Sequence, residues 1–164
     1  MGIDTQTMEQ TFAQYGRTIY RLALQYTRQP PDAEDVLQEV LLERCRRTEP
    51  FQSPEHERRW LLRVAVNKSR NLLRAGRRRP TVPLDEALAE YAPAEPSYRA
   101  LYEAVLSLPR DYRLTVDLYY YEGYATGEIA ALLGAREATV RTWLRRARLK
   151  LKELLKEEWD DDQP

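Results

Sequence analysis

Between Arg136 and Lys156 the chain carries eight lysines and arginines against two glutamates, although its charges balance overall at 26 basic and 26 acidic residues. On a helix of roughly 3.6 residues per turn, Val140, Leu144, Ala147 and Leu151 form one apolar stripe. About 100° round from it lie Arg141, Arg145, Arg148 and Lys152, and beyond them Thr139, Thr142 and Arg146. Guanidinium and hydroxyl groups in such an array hydrogen-bond phosphate oxygens and base edges, so the chemistry offered is recognition of nucleic acid. Just upstream, Ile129, Ala130 and Leu133 precede Gly134, which spaces a short helix from the basic one. A solvated amphipathic helix would explain the charge alone. The added short helix and glycine turn favour a helix-turn-helix that reads the DNA major groove.

A second constellation lies near the middle of the chain. Trp60, Arg63, Asn67, Arg70, Asn71 and Arg74 share one helical face, opposite Leu61, Ala65, Leu72 and Leu73. Unstacked bases can lie on an aromatic face while arginines hold the backbone and asparagines read exposed edges, which would make this a single-strand or melting surface. The alternative is that Trp60 fills a groove against the first helix and the arginines snorkel around it. The residues alone leave both open.

Chemistry of other kinds finds little support. Cys45 and His56 are the only cysteine and histidine, so one chain can build neither a disulfide nor a Cys/His zinc site. Cys45 sits between arginines without a triad and reads as a partly buried structural residue. No glycine-rich phosphate loop, activated nucleophile or metal-ligand cluster is present, so neither an enzyme nor a cofactor is expected. No apolar run of about 18 residues occurs and MGIDTQTMEQTF lacks the features of a secretory signal, so a cytoplasmic protein without direct membrane insertion is expected.

The elements that position these residues are helices. Phe12, Tyr15, Ile19, Leu22, Ala23 and Tyr26 recur at steps of three and four from Met8 to about Arg28, and Pro30 and Pro31 end that helix. Asp32 is placed to cap a second helix with Ala33, Leu37, Val40 and Leu41 inside and Asp32, Asp35, Glu39 and Glu43 along an acidic outer face. A loop with Phe51 and Ser53 leads to a third helix over Glu55 to Arg74 that buries Leu61, Leu62, Ala65, Leu72 and Leu73. Four prolines between residues 76 and 97 indicate a flexible linker, with one helical turn at Asp85 to Tyr91. Tyr98, Leu101, Tyr102, Val105 and Leu106 form a fourth helix, and Pro109 opens a fifth at its first position. The expected fold is all-α: a helical bundle over 1–75, a linker over 76–97, a helix-turn-helix domain over 98–158, and an acidic tail over 159–164 that frays away from the duplex.

Taken together, DAEDVLQEVLLERC, RRWLLRVAVNKSRNLLR, the proline-rich linker and LPRDYRLTVDLYYYEGYATGEIAALLGAREATVRTWLRRARLKLKELL resemble a bacterial sigma factor of the extracytoplasmic-function (ECF) group, the minimal kind with regions 2 and 4 only. The resemblance runs from about Met8 to Leu155. It implies a factor that binds core RNA polymerase through clamp and flap elements, brings it to promoter DNA and helps open the strands. In such proteins the second helix docks on the polymerase clamp, which here implies Asp32, Asp35, Gln38 and Glu39. The minus-10 element is read as melted single strand, implying Phe51, Ser53, Trp60, Arg63, Asn67, Lys68 and Asn71. The minus-35 duplex is read by the recognition helix, implying Arg136, Thr139, Arg141, Thr142, Arg145 and Arg146. The linker would thread toward the RNA exit path, and an anti-sigma partner would mask these faces. Arg136 and Glu137 depart from the small, proline or aliphatic residues frequent at the start of that helix, and Trp143 reads as an edge-of-core residue. A stand-alone helix-turn-helix repressor and a protein-interaction adaptor are the competing readings; the WLLRVAVNKSRN helix, with its melting face, counts against the first.

Overall fold

A computed structural model describes residues 4–76 and 81–161, and among them every regular element is helical. The chain divides into two compact units, Met1–Ala87 and Leu88–Pro164.

In the first unit, α1 (Thr5–Thr27) starts at Asp4, whose carboxylate accepts from the amides of Gln6 and Thr7 at 3.1 and 3.3 Å and from the Thr7 hydroxyl. It stops where Arg28 turns left-handed at φ 52° and returns its N–H to the Leu24 carbonyl at 2.8 Å. The two prolines expected to break the chain do so, yet they also open α2 (Pro30–Arg46), because proline costs nothing in a first turn whose amides lack partners. Gln29 therefore occupies the cap position, and Asp32 lies inside the first turn. α3 (Pro54–Arg74) begins in the same way, with Ser53 as cap accepting from the His56 amide at 3.1 Å. α1 packs on both α2 and α3, and α2 on α3, around Ile19, Leu24, Val36, Val40, Leu61, Leu62 and Val66.

Three expected core positions differ. Phe12 is 55% exposed: its ring lies back along α1 over Gly16, where a Cβ would come within 3.0 Å of it. Val36 is buried while Leu37 is only half-buried, and Leu73 is 40% exposed while Val66 and Ser69 take the inner positions. The shift from Leu37 to Val36 is a rotation of the buried stripe by one residue, which the i, i+3, i+4 pattern does not resolve where apolar residues stand side by side. Leu73 follows Val66 and Ser69 on one stripe but is the last residue but one of α3.

Residues 77–80 of the expected linker and 162–164 of the expected tail lie outside the described residues. The described linker residues divide between the two units. Val82 donates its amide to the Arg28 carbonyl at 2.9 Å, and Leu84 of α4 (Leu84–Ala87) is buried where that short helix meets α1. Leu88 belongs to the second unit, where its carbonyl accepts from the Tyr102 hydroxyl at 2.9 Å before a 3-10 turn at Ala89–Tyr91.

The second unit holds α5 (Pro96–Leu106), α6 (Arg110–Val116), α7 (Thr126–Leu133) and α8 (Glu137–Asp161). Pro109 is the cap of α6 and not its first residue. After Val116 the helix widens into a π turn over Asp117–Tyr121, closed by the Glu122 amide on the Asp117 carbonyl at 3.0 Å. The widening leaves Tyr120 and Tyr121 exposed while Leu118 turns inward. α5, α6 and α7 all pack on α8, whose Val140, Leu144 and Ala147 are buried as expected, with Leu151 half-buried beside them. α8 continues through Asp161, so residues 159–161 extend the helix.

Candidate nucleic-acid interface

The helix-turn-helix is held by a few short-range devices. The Glu128 carboxylate accepts from the Ala125 amide at 3.2 Å, satisfying a donor at the start of α7. Gly134 ends that helix at φ 65°, a conformation glycine adopts without a Cβ clash, and the Ala135 amide reaches the Ala130 carbonyl at 3.0 Å. Ile129, Ala130, Leu132 and Leu133 are buried. The buried stripe of α8 therefore fixes which of its faces points outward.

On that outer face Arg136, Arg141, Arg145 and Arg146 are exposed, and Thr139 and Thr142 are half-buried. The Thr142 hydroxyl donates to the Ala138 carbonyl at 3.0 Å, leaving its oxygen as an acceptor toward solvent. Trp143 is half-buried, at the edge of the core as its wheel position implied. Arg148, one of the arginines of the outward array, is turned to the π turn: its Nε donates to the Tyr120 hydroxyl at 2.6 Å, and its guanidinium lies 5.6 and 5.5 Å from the rings of Tyr119 and Tyr120. No local sequence signal pairs residues so far apart. At the head of the helix the Glu137 carboxylate accepts from the Thr126 hydroxyl at 3.0 Å and from Arg141 Nη2 at 2.8 Å. The Thr126 hydroxyl, and after it Arg141, hold this carboxyl below its ordinary value of 4.5.

The first unit contributes an aromatic loop. Phe51 is half-buried between two guanidinium groups, Arg47 at 4.3 Å and Arg44 at 4.9 Å from its ring centre. His56 meets it edge-on at 5.3 Å and Trp60 lies at 5.6 Å, with Arg47 also 5.2 Å from the Trp60 ring. The Gln52 amide donates to His56 Nδ1 at 3.1 Å and Arg47 Nε to the Glu49 carbonyl at 3.1 Å, which tie the loop at both ends. Around it opens a pocket of about 670 Å³ lined by Gln14, Tyr15, Arg44, Arg47, Phe51 and Gln52, among others. Burial pushes the Tyr15 phenol above its ordinary 10.0, so it enters the pocket wall as a neutral hydroxyl.

Trp60 is half-buried, and its ring lies against Phe51 of the loop before α3. Arg63, Asn67 and Asn71 remain exposed along α3, while Arg70 lies 5.9 Å from the Tyr26 ring. Lys68 faces α2, where its ammonium sits 3.0 Å from Glu43 and 3.9 Å from Glu39. Arg44 and Arg47 escaped notice because only the tertiary fold brings the RCRR run of α2 over the loop.

On α2, Asp35, Gln38 and Glu39 are exposed. Asp32 is only 2% exposed and does not belong to the outer face: the helix starts three residues earlier than a cap at Asp32 would require, so Asp32 is helical and stands four residues before Val36 and eight before Val40, on the buried stripe. Cys45 is half-buried, its thiol 3.7 Å from the Asp4 carbonyl. Among the described residues no helix is long and apolar enough to cross a membrane.

Comparison with known proteins agrees with this geometry. Residues 11–79 match the family Sigma-70 region 2, and residues 98–151 match Sigma-70, region 4. The chain is 31% identical over 154 residues to the ECF RNA polymerase sigma factor SigM of Mycobacterium tuberculosis, covering 93% of this chain and 79% of that one. Its identity to the ECF RNA polymerase sigma-E factor of Escherichia coli is also 31%, over 71% of this chain and 70% of the relative. In fold it is similar to the sigma factor RpoE of Bartonella quintana, solved with the anti-sigma factor NepR (TM-score 0.62, 19% identity, 90% of this chain and 96% of that one). It is also similar to CnrH, solved with the cytosolic domain of CnrY (TM-score 0.59, 26% identity, 98% and 92%). A lone repressor or adaptor would not account for the region 2 match. The chain belongs to the ECF RNA polymerase sigma factors, non-enzymatic proteins that bind core RNA polymerase and direct promoter-specific initiation of transcription.

Proposed function

We propose that the two units divide promoter reading between them: α8 reads the minus-35 duplex through Arg136, Thr139, Arg141, Thr142, Arg145 and Arg146, and the first unit captures the melted minus-10 strand. The observation that carries the first half is the outward array of arginines on a helix whose opposite stripe is buried against α7. For the second half, the support is the pocket lined by Tyr15, Arg44, Arg47 and Phe51, where guanidinium groups and aromatic rings stand together and a base leaving the duplex finds stacking and backbone neutralisation. Arg63, Asn67 and Asn71 continue that surface along α3, and Ser53 sets the loop's exit by capping the helix.

Asp35, Gln38 and Glu39 form the polymerase-docking face of α2, opposite the clamp, while the second unit meets the flap. The protein acts in the cytoplasm and is held in check by an anti-sigma factor, a reading supported by RpoE, solved with the anti-sigma factor NepR, and by CnrH, solved with the cytosolic domain of CnrY. Co-elution with bacterial core RNA polymerase on size exclusion tests the division. Asp35→Ala with Glu39→Ala is expected to abolish co-elution and leave duplex binding intact; Arg146→Ala is expected to do the reverse. Loss of polymerase association in Arg146→Ala would refute the division.

A further inference from the structure

Glu137 is a carboxylate at the head of the basic helix α8, and its surroundings explain its presence. One oxygen, Oε1, accepts from both Thr126 Oγ1 and Arg141 Nη2, so a single atom joins the first turn of α7 to the first turn of α8 and to an arginine one turn further on. Pairs spaced i, i+4 are common on helix surfaces, where they add modestly to helix stability. Arg99 and Glu103 on α5 are such a pair, at a looser 3.4 Å with both side chains about 60% exposed, 59% and 60%. The Glu137 pair differs in being closer at 2.8 Å and anchored by a third group from the neighbouring helix, and in ending on an arginine that flanks the exposed array of α8. Arg141 itself remains 69% exposed, so the anchor orients the guanidinium without covering it.

We propose that Glu137 is a specificity-determining positioning residue: it holds Arg141 as a pre-oriented fork that reads one guanine of the minus-35 duplex. The proposal rests on the reading of α8 as the duplex-reading helix. An arginine reads guanine by two parallel N–H donors on O6 and N7. Glu137 engages Arg141 at Nη2, and a guanidinium has about five N–H donors, so a pair remains for the base. An untethered arginine at this exposure would satisfy any phosphate within reach and lose its base preference, since phosphate contacts carry no sequence information. The carboxylate works against that default twice, by restraining the side chain and by repelling the backbone. Thr126 keeps the carboxylate from swinging away.

The test uses the full chain assembled with bacterial core polymerase, and measures relative affinities across a library of duplexes in which each minus-35 position is varied. Arg141→Ala is expected to erase a guanine preference at one position, by about tenfold. Glu137→Ala is expected to weaken preference at that same position several-fold, to leave the other positions as they were, and to raise affinity for random duplex with a steeper salt dependence. In the double variant the position should look as it does in Arg141→Ala alone. Retained preference in Glu137→Ala at the position that Arg141→Ala erases overturns the proposal while leaving the reading of α8 in place. An even loss at all positions, with a lowered thermal midpoint, also overturns it, since that is what a merely structural clip would do. Should Arg141→Ala alter no position, the reading of Arg141 as a base contact fails first, and the proposal with it.

Discussion

Replacing Phe51 with leucine isolates what the aromatic loop contributes to strand capture. Leucine keeps apolar bulk between Arg44 and Arg47 but removes the ring that both guanidinium groups face, at 4.9 and 4.3 Å. Each cation–π contact at a partly exposed site is worth about 0.5–1 kcal/mol. The tilted contact to Trp60 at 5.6 Å and the edge contact to His56 at 5.3 Å add about 0.5 kcal/mol or more between them. The loop therefore loses about 2 kcal/mol of order, and a single strand that docks on it must supply that ordering at the moment of binding. The expected result is roughly thirtyfold weaker capture of a single-stranded minus-10 oligonucleotide by the assembled polymerase, read by fluorescence anisotropy. Binding of the minus-35 duplex should be unchanged, because α8 belongs to the other unit. Unaltered single-strand affinity, or an equal loss on the duplex, would refute the assignment of the loop to strand capture.

Three further outcomes follow from the same structure. Leu144→Ala opens a cavity among Leu108, Val116 and Ala147 and should cost about 3 kcal/mol, a large share of the roughly 4–12 kcal/mol a unit of this size possesses; thermal unfolding by circular dichroism should show the second unit melting early. Gly134→Ala places a Cβ at φ 65° and should cost about 1 kcal/mol, or about 4–8 °C in that unit's midpoint, with minus-35 affinity falling in step. The Glu137 carboxyl has its folded pKa depressed by Thr126 first and Arg141 second, so the clip's contribution is fully present above the ordinary value of 4.5 and is lost as pH falls through the lower folded value. The difference in thermal midpoint between the native chain and Glu137→Gln should accordingly stay constant above the ordinary value of 4.5 and shrink as pH falls from there through the folded value.

The second unit was the more legible of the two. Gly134 marks its turn, Val140, Leu144 and Ala147 its buried stripe, and both are matters of local backbone geometry and helical period, which a sequence states directly. The same period fixes the outward position of Arg141, Arg145 and Arg146. The first unit was legible as three helices but not in its details. Asp32 fits an N-cap and an acidic face on paper, yet the helix opens at the proline pair, three residues earlier, and Asp32 falls in helical phase with the buried Val36 and Val40. Leu72 and Leu73, or Val36 and Leu37, are equivalent to a periodic pattern, and only the neighbouring helix decides which of each pair is covered.

What the amino-acid order determined by itself is the set of properties that reside within a few turns of chain: where helices run, where proline and glycine interrupt them, which face of α8 is cationic, and the absence of a Cys/His ligand set that would hold a metal. What only the tertiary structure decided is which side chains from separate helices meet. Arg44 and Arg47 enclose Phe51, Lys68 turns to Glu43, Arg148 turns to Tyr120, and Thr126 reaches Glu137. Those contacts depend on helix packing to within an ångström or two and on the rotamers it allows, information that no single segment contains.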